Sequence, residues 1–460
     1  MEKTAIFAIA AVAILAVAGI GVAVVLNQKG GGESVDYSFD GAQLKVLGNA
    51  NKDGSIDSKD VDTIKDLIGK STSVKDAPMA DANKDGKINQ DDVDVVEKII
   101  KGEKVTVWHI NYYDTDGDST MDTELVSTAF PVTSTIMTGS SNSFMMMYLL
   151  GITSEVKGAS YGSTNDHKLY DGVYIEDKAK QNPPIVKLGT SSTSITFEDG
   201  KAGSSNVIAD EKVTCLITDW NRTYIENWEA FEKANVDVVR VAAAATDKET
   251  YTHSILLLGL LFQKIDKSKS LLALYDKTFD EINKMVAKIT DSTKKSGVAS
   301  SMDAYVSSGT SDYQGVLTQA GLNFGLNGYN FNSSTSIKVA DNPGIFDTSK
   351  YRFDYVVHIR TAFGYGTTSS EAQSSWDKYI KGWDDWENAD VDGRTLMVSG
   401  VMPVPLRIVY TLYGVYSGVI DGVTLSWAND LHQEYITGFF HGANASLDAD
   451  DLLVFCNARP

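Results

Sequence analysis

The sequence contains few cysteines and histidines, and it carries no excess of positive charge. Its two cysteines lie far apart and its six histidines are scattered, so neither residue type provides the clustered spacing of a zinc, manganese or iron–sulfur site. The formal net charge of −20 argues against a nucleic-acid partner, because phosphates would be repelled. Neither a phosphate loop nor a His-Glu-x-x-His helix is present, and no acidic pair occupies recognisable strand ends. These absences favour a protein that is not an enzyme.

The remaining composition is that of a largely globular chain. Its 460 residues are sufficient for two or three domains, and 43% of them are hydrophobic against 22% charged. In an oxidising compartment Cys215 and Cys456 would be able to pair, and two separate buried thiols are the alternative.

One long hydrophobic run lies at the N-terminus. From Ala5 to Leu26 no residue is charged, and as a helix this run would extend about 33 Å, enough to cross a hydrocarbon core of about 30 Å. Secretory hydrophobic regions are shorter, about 7–15 residues, and no nearby cysteine could carry a lipid. We therefore predict a single-pass transmembrane signal-anchor over residues 1–28, a flexible linker over 29–43, and a cell-membrane protein whose bulk is extracytoplasmic. A cleaved signal peptide is the alternative.

Two acidic segments form an internal repeat, and their first residues, Asn49 and Asp81, lie 32 positions apart. Each segment has oxygen-bearing side chains at the first, third, fifth, ninth and twelfth positions, a glycine at the sixth and a backbone carbonyl at the seventh, as a calcium loop requires. An amphipathic helix follows each loop, so the two halves should fold together around two calcium ions, the first site being weaker because Asn49 is uncharged. The predicted calcium ligands are Asn49, Asn51, Asp53, Ser55, Asp57 and Asp60 in the first loop and Asp81, Asn83, Asp85, Lys87, Asn89 and Asp92 in the second.

Aspartate at the twelfth position and the paired short helices resemble the dockerin module. The resemblance covers about residues 46–102 and implies calcium-dependent attachment to a cohesin domain through the tenth and eleventh positions of each loop. The copies differ there, so a symmetric dual binding mode is not expected. The residues concerned are Ser58 and Lys59 in the first copy and Gln90 and Asp91 in the second.

A third acidic run, from Asp114 to Asp122, is predicted to be a solvated turn. It lacks a glycine after Asp118 and has Leu125 at the twelfth position, where a carboxylate is needed. We accordingly predict a dockerin-like domain over 44–103, and a linker segment over 104–128.

From about Lys104 onward, apolar strand patterns alternate with helical ones. Phe130 to Met137 and Val213 to Thr218 have the character of strands, and a long helical stretch extends from about Thr252 to Ile289. Such alternation predicts parallel sheets covered by helices, the α/β class.

Two α/β lobes joined by a long helix resemble the substrate-binding proteins of ABC importers, specifically the iron-siderophore, haem and cobalamin type. The resemblance covers roughly Ala129 to Phe440 and implies a two-lobed periplasmic-binding-protein fold, preceded by the small all-α calcium-binding domain and a transmembrane helix. The matching segments are the turn Leu150-Gly151-Ile152, the strand Val213 to Asp219, the helix pair Leu257 to Ile289 and the stretch Trp386 to Val419 with its Gly393-Arg394. The implied domains are a first lobe over 129–250, interlobe helices over 251–290 and a second lobe over 291–460.

The same resemblance implies an ABC permease as a partner, met through a surface glutamate on each lobe. Asn206 and Asn342 stand near the expected places, with Asp210 or Asp341 as nearby acidic substitutes.

The predicted ligand lies between the lobes, at loops that follow the carboxyl ends of strands. Arginine beside tyrosine and tryptophan suits a flat, anionic, partly aromatic ligand such as a ferric siderophore, haem or a corrinoid. The predicted ligand-binding residues are Ser140, Tyr161, Trp220 and Arg222 on the first lobe and Tyr305, His358, Arg360, Tyr365, Met402 and Arg407 on the second.

The predicted function is therefore capture of a solute for an ABC importer by a membrane-anchored protein with a dockerin module. A cell-surface adhesive or scaffold protein without a transport role is the alternative. A dockerin-bearing glycoside hydrolase is a less favoured one.

Overall fold

The computed structural model describes most of the chain after the N-terminal run. Within the described residues no helix is both long enough and apolar enough to span a membrane; the predicted anchor over 1–28 lies outside them. The described residues are 35, 37–160, 185–188, 195–198, 200–203, 205–225, 227–300, 304–332, 334–351, 353–360, 365, 368–381, 395–440 and 454–455.

The calcium-binding repeat forms two short helices that pack on each other. Helix α1 spans Ser58–Gly69 and helix α2 spans Gln90–Lys101. Each helix begins with a capping box in which the ninth and twelfth loop residues cap one another's backbone, so the calcium loop and the helix start share the same residues. The apolar faces meet through Ile64, Val93 and Val96, which are fully buried.

The segment 104–128, predicted to be a linker, is instead part of a β-hairpin. Strand β1 (Val105–Tyr113) and strand β2 (Asp122–Phe130) pair antiparallel over their whole length. The segment Val105-Thr-Val-Trp-His-Ile110 is rich in the β-branched and aromatic residues that favour strands, and the acidic run supplies the turn. The predicted strand from Phe130 to Met137 is accordingly divided, because β2 ends at Phe130 and Pro131, which has no N–H to donate, follows it.

The first lobe is built on a five-stranded parallel sheet. Its strand order is β5-β4-β3-β8-β9, and a separate small hairpin consists of β6 and β7. The strands are β3 (Thr135–Met137), β4 (Val156–Ala159), β5 (Val186–Lys187), β6 (Phe197–Glu198), β7 (Lys201–Ala202), β8 (Cys215–Asp219) and β9 (Asp237–Val241). The helices are α3 (Ser141–Leu150), α4 (Val207–Asp210) and α5 (Trp228–Lys233). Cys215 is buried in β8, and Cys456 lies outside the described residues.

Two helices, and not one long helix, form the connection between the lobes. Helix α6 spans Lys248–Leu261 and helix α7 spans Ile265–Val286. The break falls at Gln263, whose φ of +56° is not helical. The two helices approach each other closely at Gly259. Any larger side chain there would clash with the hydroxyl of Ser268.

The second lobe repeats the architecture of the first. Its sheet has the order β12-β10-β14-β15-β16, parallel except for β16 at the edge. The strands are β10 (Ser296–Ser300), β11 (Tyr305–Ser307), β12 (Asn323–Phe324), β13 (Ser336–Lys338), β14 (Tyr355–Arg360), β15 (Thr395–Ser399) and β16 (Val454–Phe455). The helices are α8 (Asp312–Gln319), α9 (Ser369–Lys381), α10 (Val404–Tyr416) and α11 (Leu425–Phe439).

The calcium-binding domain is packed onto the lobes and shares their hydrophobic core. The backbone N–H of Lys45 donates to His253 Nδ1 of α6 at 3.1 Å, and the ammonium of Lys45 forms an ion pair with Glu249 on the same helix. Near the first calcium loop, the methyl groups of Leu256 lie against Gly54. Helix α6 therefore holds the calcium-binding domain in place.

Truncation of Leu256 should destabilise the whole chain. We expect Leu256→Ala to lower the free energy of unfolding by about 2–5 kcal/mol, because the residue is fully buried and its loss leaves a cavity. Urea unfolding followed by circular dichroism in calcium measures this change. Leu425→Ala is the matched control, since Leu425 is 47% exposed and its truncation should have little effect. Equal effects of the two substitutions would contradict the shared core.

Candidate functional site

The two calcium loops have the same backbone framework around their twelfth residue. Asp60 accepts hydrogen bonds from the N–H groups of Asn51 and Asp57, at 3.1 and 2.9 Å. Asp92 accepts the equivalent bonds from Asn83 and Asn89, at 3.2 and 2.8 Å. Each twelfth-position carboxylate is thus fixed at the centre of its loop.

The first residues of the loops differ in their bonding. Asp81 accepts hydrogen bonds from the N–H groups of Asp85 and Gly86. The side-chain amide of Asn49 instead donates to the carbonyls of Leu44 and Asp53, which leaves Asn49 Oδ1 buried without a partner. A buried acceptor without a donor is costly, and a cation is the group that would satisfy it.

The fifth-position carboxylates turn toward the seventh residues of their loops. Asp53 accepts the N–H of Ser55 at 2.8 Å, and Asp85 accepts the N–H of Lys87 at 2.9 Å.

Burial raises the pKa of the central carboxyl groups. The pKa values of Asp60 and Asp92 are raised to about 6, and that of Asp81 is also raised, in each case first by desolvation. Loss of water disfavours carboxylates unless a positive charge replaces it. A calcium ion would supply that charge, so the residues present fit the ion that the repeat predicts.

Two contacts at the second loop were not predicted from the sequence. The Tyr37 hydroxyl donates to Asp81 Oδ2 at 2.7 Å, and the ammonium of Lys84 lies 4.1 Å from the centre of the Trp108 ring. Tyr37 precedes the repeat and Trp108 follows it, so no spacing within the loops reveals either contact.

The third acidic run is the turn of the β1–β2 hairpin. Carboxylate oxygens of Asp114, Asp116 and Asp118 lie within 4.8 Å of one another. Each of these side chains accepts an N–H bond from its own turn, and the guanidinium of Arg222 lies against Gly117. The run is therefore a self-bonded turn with a neighbouring cation, which agrees with its prediction as a turn.

A cavity of about 130 Å³ lies between the two lobes. The first lobe contributes residues that follow its central strands and the start of α3. The second lobe contributes the start of α8, residues of β11 and β13, and Arg407 of α10. Three predicted ligand-binding residues line it, namely Ser140, Trp220 and Arg407. It is also lined by Asn142, Asp219, Asn221, Tyr224, Ala244, Ser307, Ser311, Asp312, Tyr313, Val316, Thr335 and Ser336.

Asp219, at the carboxyl end of β8, is the acidic residue of the first lobe in this cavity. Its Oδ2 accepts hydrogen bonds from the backbone N–H and the hydroxyl of Ser140. Its Oδ1 is buried and has no hydrogen-bond partner. Burial is the main cause that raises the pKa of Asp219.

Asp312, the first residue of α8, faces the cavity from the second lobe. Its Oδ2 accepts a hydrogen bond from Trp220 Nε1 at 3.3 Å, which connects the two lobes. Burial, with a smaller contribution from the charge of Asp219, raises the pKa of Asp312 to about 6.

Arg407 of α10 donates hydrogen bonds to three neutral acceptors. Its Nε donates to the Met402 carbonyl at 2.9 Å, and its Nη2 donates to the Gly400 carbonyl and to Asn142 Oδ1. Asn142 belongs to the first lobe, so Arg407 provides a second connection across the cavity.

Six of the other predicted ligand-binding residues lie within the described part of the chain, and these six do not line this cavity. Arg222 lies at the hairpin turn, Met402 is buried with its carbonyl bonded to Arg407, and Tyr365 is bonded through its hydroxyl to His432. His358 is fully buried in β14, and burial lowers its pKa to about 3. Tyr305 begins β11 and Arg360 ends β14, both partly buried, and Tyr161 lies outside the described residues.

Asp312 was missed because its sequence neighbourhood indicates a helix start. Ser311 caps α8 by accepting the N–H of Tyr313, and an acidic residue in the first helical turn is ordinary. Only the approach of the lobes places Asp312 opposite Asp219.

Residues 158–162 also match the Gly-x-Ser-x-Gly pattern of hydrolase nucleophiles, a match that the prediction of a protein without enzymatic activity did not include. Ser160 follows the parallel strand β4, as that pattern requires. It is fully buried, however, whereas a nucleophile must be presented at an exposed turn.

The surface positions expected to meet a permease carry polar residues. Asn206 is exposed just before α4, and Asn342 bonds to Tyr329 and to the Lys338 carbonyl. Asp210 and Asp341, their acidic neighbours, are both exposed.

Residues 47–101 match the model of the dockerin type I domain. Dockerin type I domains typically bind calcium, which agrees with the loops described above. No curated protein matches the chain significantly.

Solved structures similar to the chain are solute-binding proteins. A TroA-like periplasmic binding protein FepB from Veillonella parvula is 13% identical, with a TM-score of 0.50 over 71% of this chain and 95% of that one. An ABC transporter solute binding protein from Sulfurospirillum deleyianum is 14% identical, with a TM-score of 0.47 over 71% and 96%. A periplasmic heme binding protein from Pseudomonas aeruginosa is 14% identical, with a TM-score of 0.43 over 62% and 92%. The similarity to the Veillonella parvula structure shows that the chain has a periplasmic-binding-protein fold, as the sequence predicted. At such a low identity it shows the fold alone.

Removal of a central loop carboxylate should weaken calcium binding. We expect Asp92→Asn to weaken it at least about tenfold, because a charged group at the centre of the second loop is lost. Isothermal titration with calcium measures the change. Asp94→Asn is the matched control, because Asp94 is exposed on the same helix and its substitution also removes one negative charge. It should leave the calcium affinity near that of the unchanged protein. Similar losses in both variants would show that only net charge matters.

Calcium should stabilise the protein more at pH 7 than at pH 5. In the calcium-free folded state Asp60 and Asp92 take up protons as the pH falls through about 6, and those protons compete with the ion. Buried histidines also destabilise the fold in acid, but they do so with or without calcium and cancel in the difference. The measurement is the difference in melting temperature between calcium and chelator at each pH. A difference that does not fall toward pH 5 would contradict protonation of these carboxyls.

Proposed function

Given a dockerin type I domain joined to a periplasmic-binding-protein fold, we propose that this chain captures a solute between two lobes outside the cytoplasm and delivers it to an ABC importer. The observation that carries the proposal is the cavity between the lobes, whose walls come from both of them. Hydrogen bonds from Trp220 to Asp312 and from Arg407 to Asn142 cross it. A solute that replaced or extended these bonds would favour the closed arrangement of the lobes.

The size of the cavity limits what it accepts. Sites that enclose a drug-sized ligand have about 300–1,000 Å³. The cavity of about 130 Å³ suits a small polar solute, or one polar group of a larger ligand such as a ferric siderophore, haem or corrinoid. The whole of a larger chelate would require a wider separation of the lobes.

The dockerin domain supports a second, protein partner. Its predicted recognition residues Ser58, Lys59, Gln90 and Asp91 are all exposed at the starts of α1 and α2. We propose that a cohesin binds at these helix starts, and that each loop holds one calcium ion. Because α6 holds the domain against the lobes, this attachment would also fix the orientation of the solute-binding cavity.

The hydrophobic run from Ala5 to Leu26 supports attachment to the cell membrane. We propose that it anchors the chain with both the dockerin domain and the lobes on the extracytoplasmic side, where calcium is abundant.

A bound solute should be detectable directly and through Trp220. We expect the full chain, purified in detergent with calcium retained, to carry a small molecule in native mass spectrometry. Rebinding should change the intrinsic fluorescence, because the indole of Trp220 lines the cavity. Trp220→Phe should remove most of that change, whereas Trp108→Phe, at the calcium-binding domain, should retain it.

Failure to find a solute would support a different function. No co-purified mass, together with no fluorescence response to haemin, ferric chelates or small polar solutes, would favour an adhesive or scaffold protein. Turnover of a polysaccharide would favour a hydrolase.

A further inference from the structure

Two carboxylates from opposite lobes dominate the cavity. Asp219 follows β8 of the first lobe, and Asp312 begins α8 of the second. Only 5% of Asp219 is exposed, and its Oδ1 has no hydrogen-bond partner although it is buried. An unpaired carboxylate oxygen in such a place costs free energy unless a ligand donates to it.

The remaining bonds of the two side chains do not neutralise them. Asp219 is held through Oδ2 by Ser140, with the Ser143 hydroxyl and the Ala243 N–H as further neighbouring donors. Asp312 Oδ2 accepts the Trp220 indole. These donors are uncharged, so they orient the carboxylates without balancing their charge.

Arg407 is the one lysine or arginine among the described residues that line the cavity. Its charge only partly offsets two carboxylates, and its Nε and Nη2 donate to the neutral acceptors Met402, Gly400 and Asn142. The pKa of each carboxyl is raised by burial, and that of Asp312 also by its acidic neighbour. Counted over the described lining residues, the cavity therefore has more carboxyl groups than cationic side chains, and a positively charged ligand would offset the cost of burying them.

The walls favour an organic cation over a bare metal ion. A hard metal ion takes about six or more oxygen ligands, usually with several carboxylates. Among the described residues, the grouped metal-ligating side chains are those of the hairpin turn, and none is grouped in the cavity. The cavity instead offers hydroxyls and the rings of Trp220, Tyr224 and Tyr313, which suit N–H donors and a cation over an aromatic face.

We propose that the cavity binds its solute through a protonated amino or guanidino group placed between Asp219 and Asp312. Such a group donates to Asp219 Oδ1 and to Asp312 at once, and so connects the two lobes. The inference rests on the proposed function and names the chemical class of the solute, or of the part of a larger solute that enters the cavity. It departs from the anionic ligand that the arginines of the sequence suggest.

The test compares three ligands of nearly equal length that differ in charge. Putrescine has an ammonium at each end, 1,4-butanediol replaces both with hydroxyls, and succinate replaces both with carboxylates. With the full chain in calcium, isothermal titration and Trp220 fluorescence should show putrescine binding at least tenfold more tightly than butanediol and succinate. Equal or tighter binding of succinate or butanediol would overturn the inference without use of any variant.

Asparagine variants of the two aspartates test whether the amine binds between them. Asp219→Asn and Asp312→Asn should each weaken amine binding at least tenfold, whereas Asp347→Asn, on the surface of the second lobe, should not. Melting curves in calcium establish that each variant is folded. If manganese binds in the cavity and the same variants abolish that binding while amines have no effect, the site is a metal site and the inference is wrong.

The inference and the proposed function fail in different ways. If native mass spectrometry finds a solute without a cationic nitrogen, and the two asparagine variants still bind it, solute capture stands and the cationic class is wrong. If the cavity binds neither a co-purified solute nor any of the test ligands, both proposals are wrong.

Discussion

Burial of helix α6 on every side is the constraint on which the rest of the structure depends. All residues from Thr250 to Leu261 are buried, including polar ones such as His253. A helix that is apolar around its whole circumference needs partners on all faces. The lobes cover part of α6 and the calcium-binding domain covers another part, so the two modules share one core. His253 illustrates the consequence: its ring accepts from Lys45 and donates to the Ile110 carbonyl, and burial keeps it neutral by lowering its pKa to about 3.

Helix α6 is near both the first calcium loop and the cavity between the lobes. The first calcium loop meets α6 near Leu256, while Asp247, which caps the start of α6, contributes to the electrostatic environment of Asp312 in the cavity. Binding to a folded state stabilises everything that folds with it. Calcium is therefore expected to support the lobes as well as the small domain, although the two sites share no residue.

The two sites use buried carboxylates in different ways. In the loops, Asp60 and Asp92 are surrounded by backbone N–H donors from their own segment, so their geometry is local and repeats at a fixed spacing. In the cavity, Asp219 and Asp312 come from different lobes and are held by Ser140 and Trp220. Local sites leave a pattern in the sequence, whereas sites assembled between lobes leave none.

The sequence by itself determined the calcium-binding repeat and the α/β class, because ligand spacing, capping residues and strand–helix alternation act over short stretches of chain. The two-lobed arrangement was expected from the resemblance to substrate-binding proteins and not from any local pattern. The sequence did not reveal that residues 105–130 form a β-hairpin, that Asp312 faces Asp219, or that His358 and Met402 are interior residues. Those features depend on which surfaces meet when distant segments pack, above all around α6 and between the lobes. Burial and pairing over such separations are decided by the tertiary structure, since no local spacing encodes them.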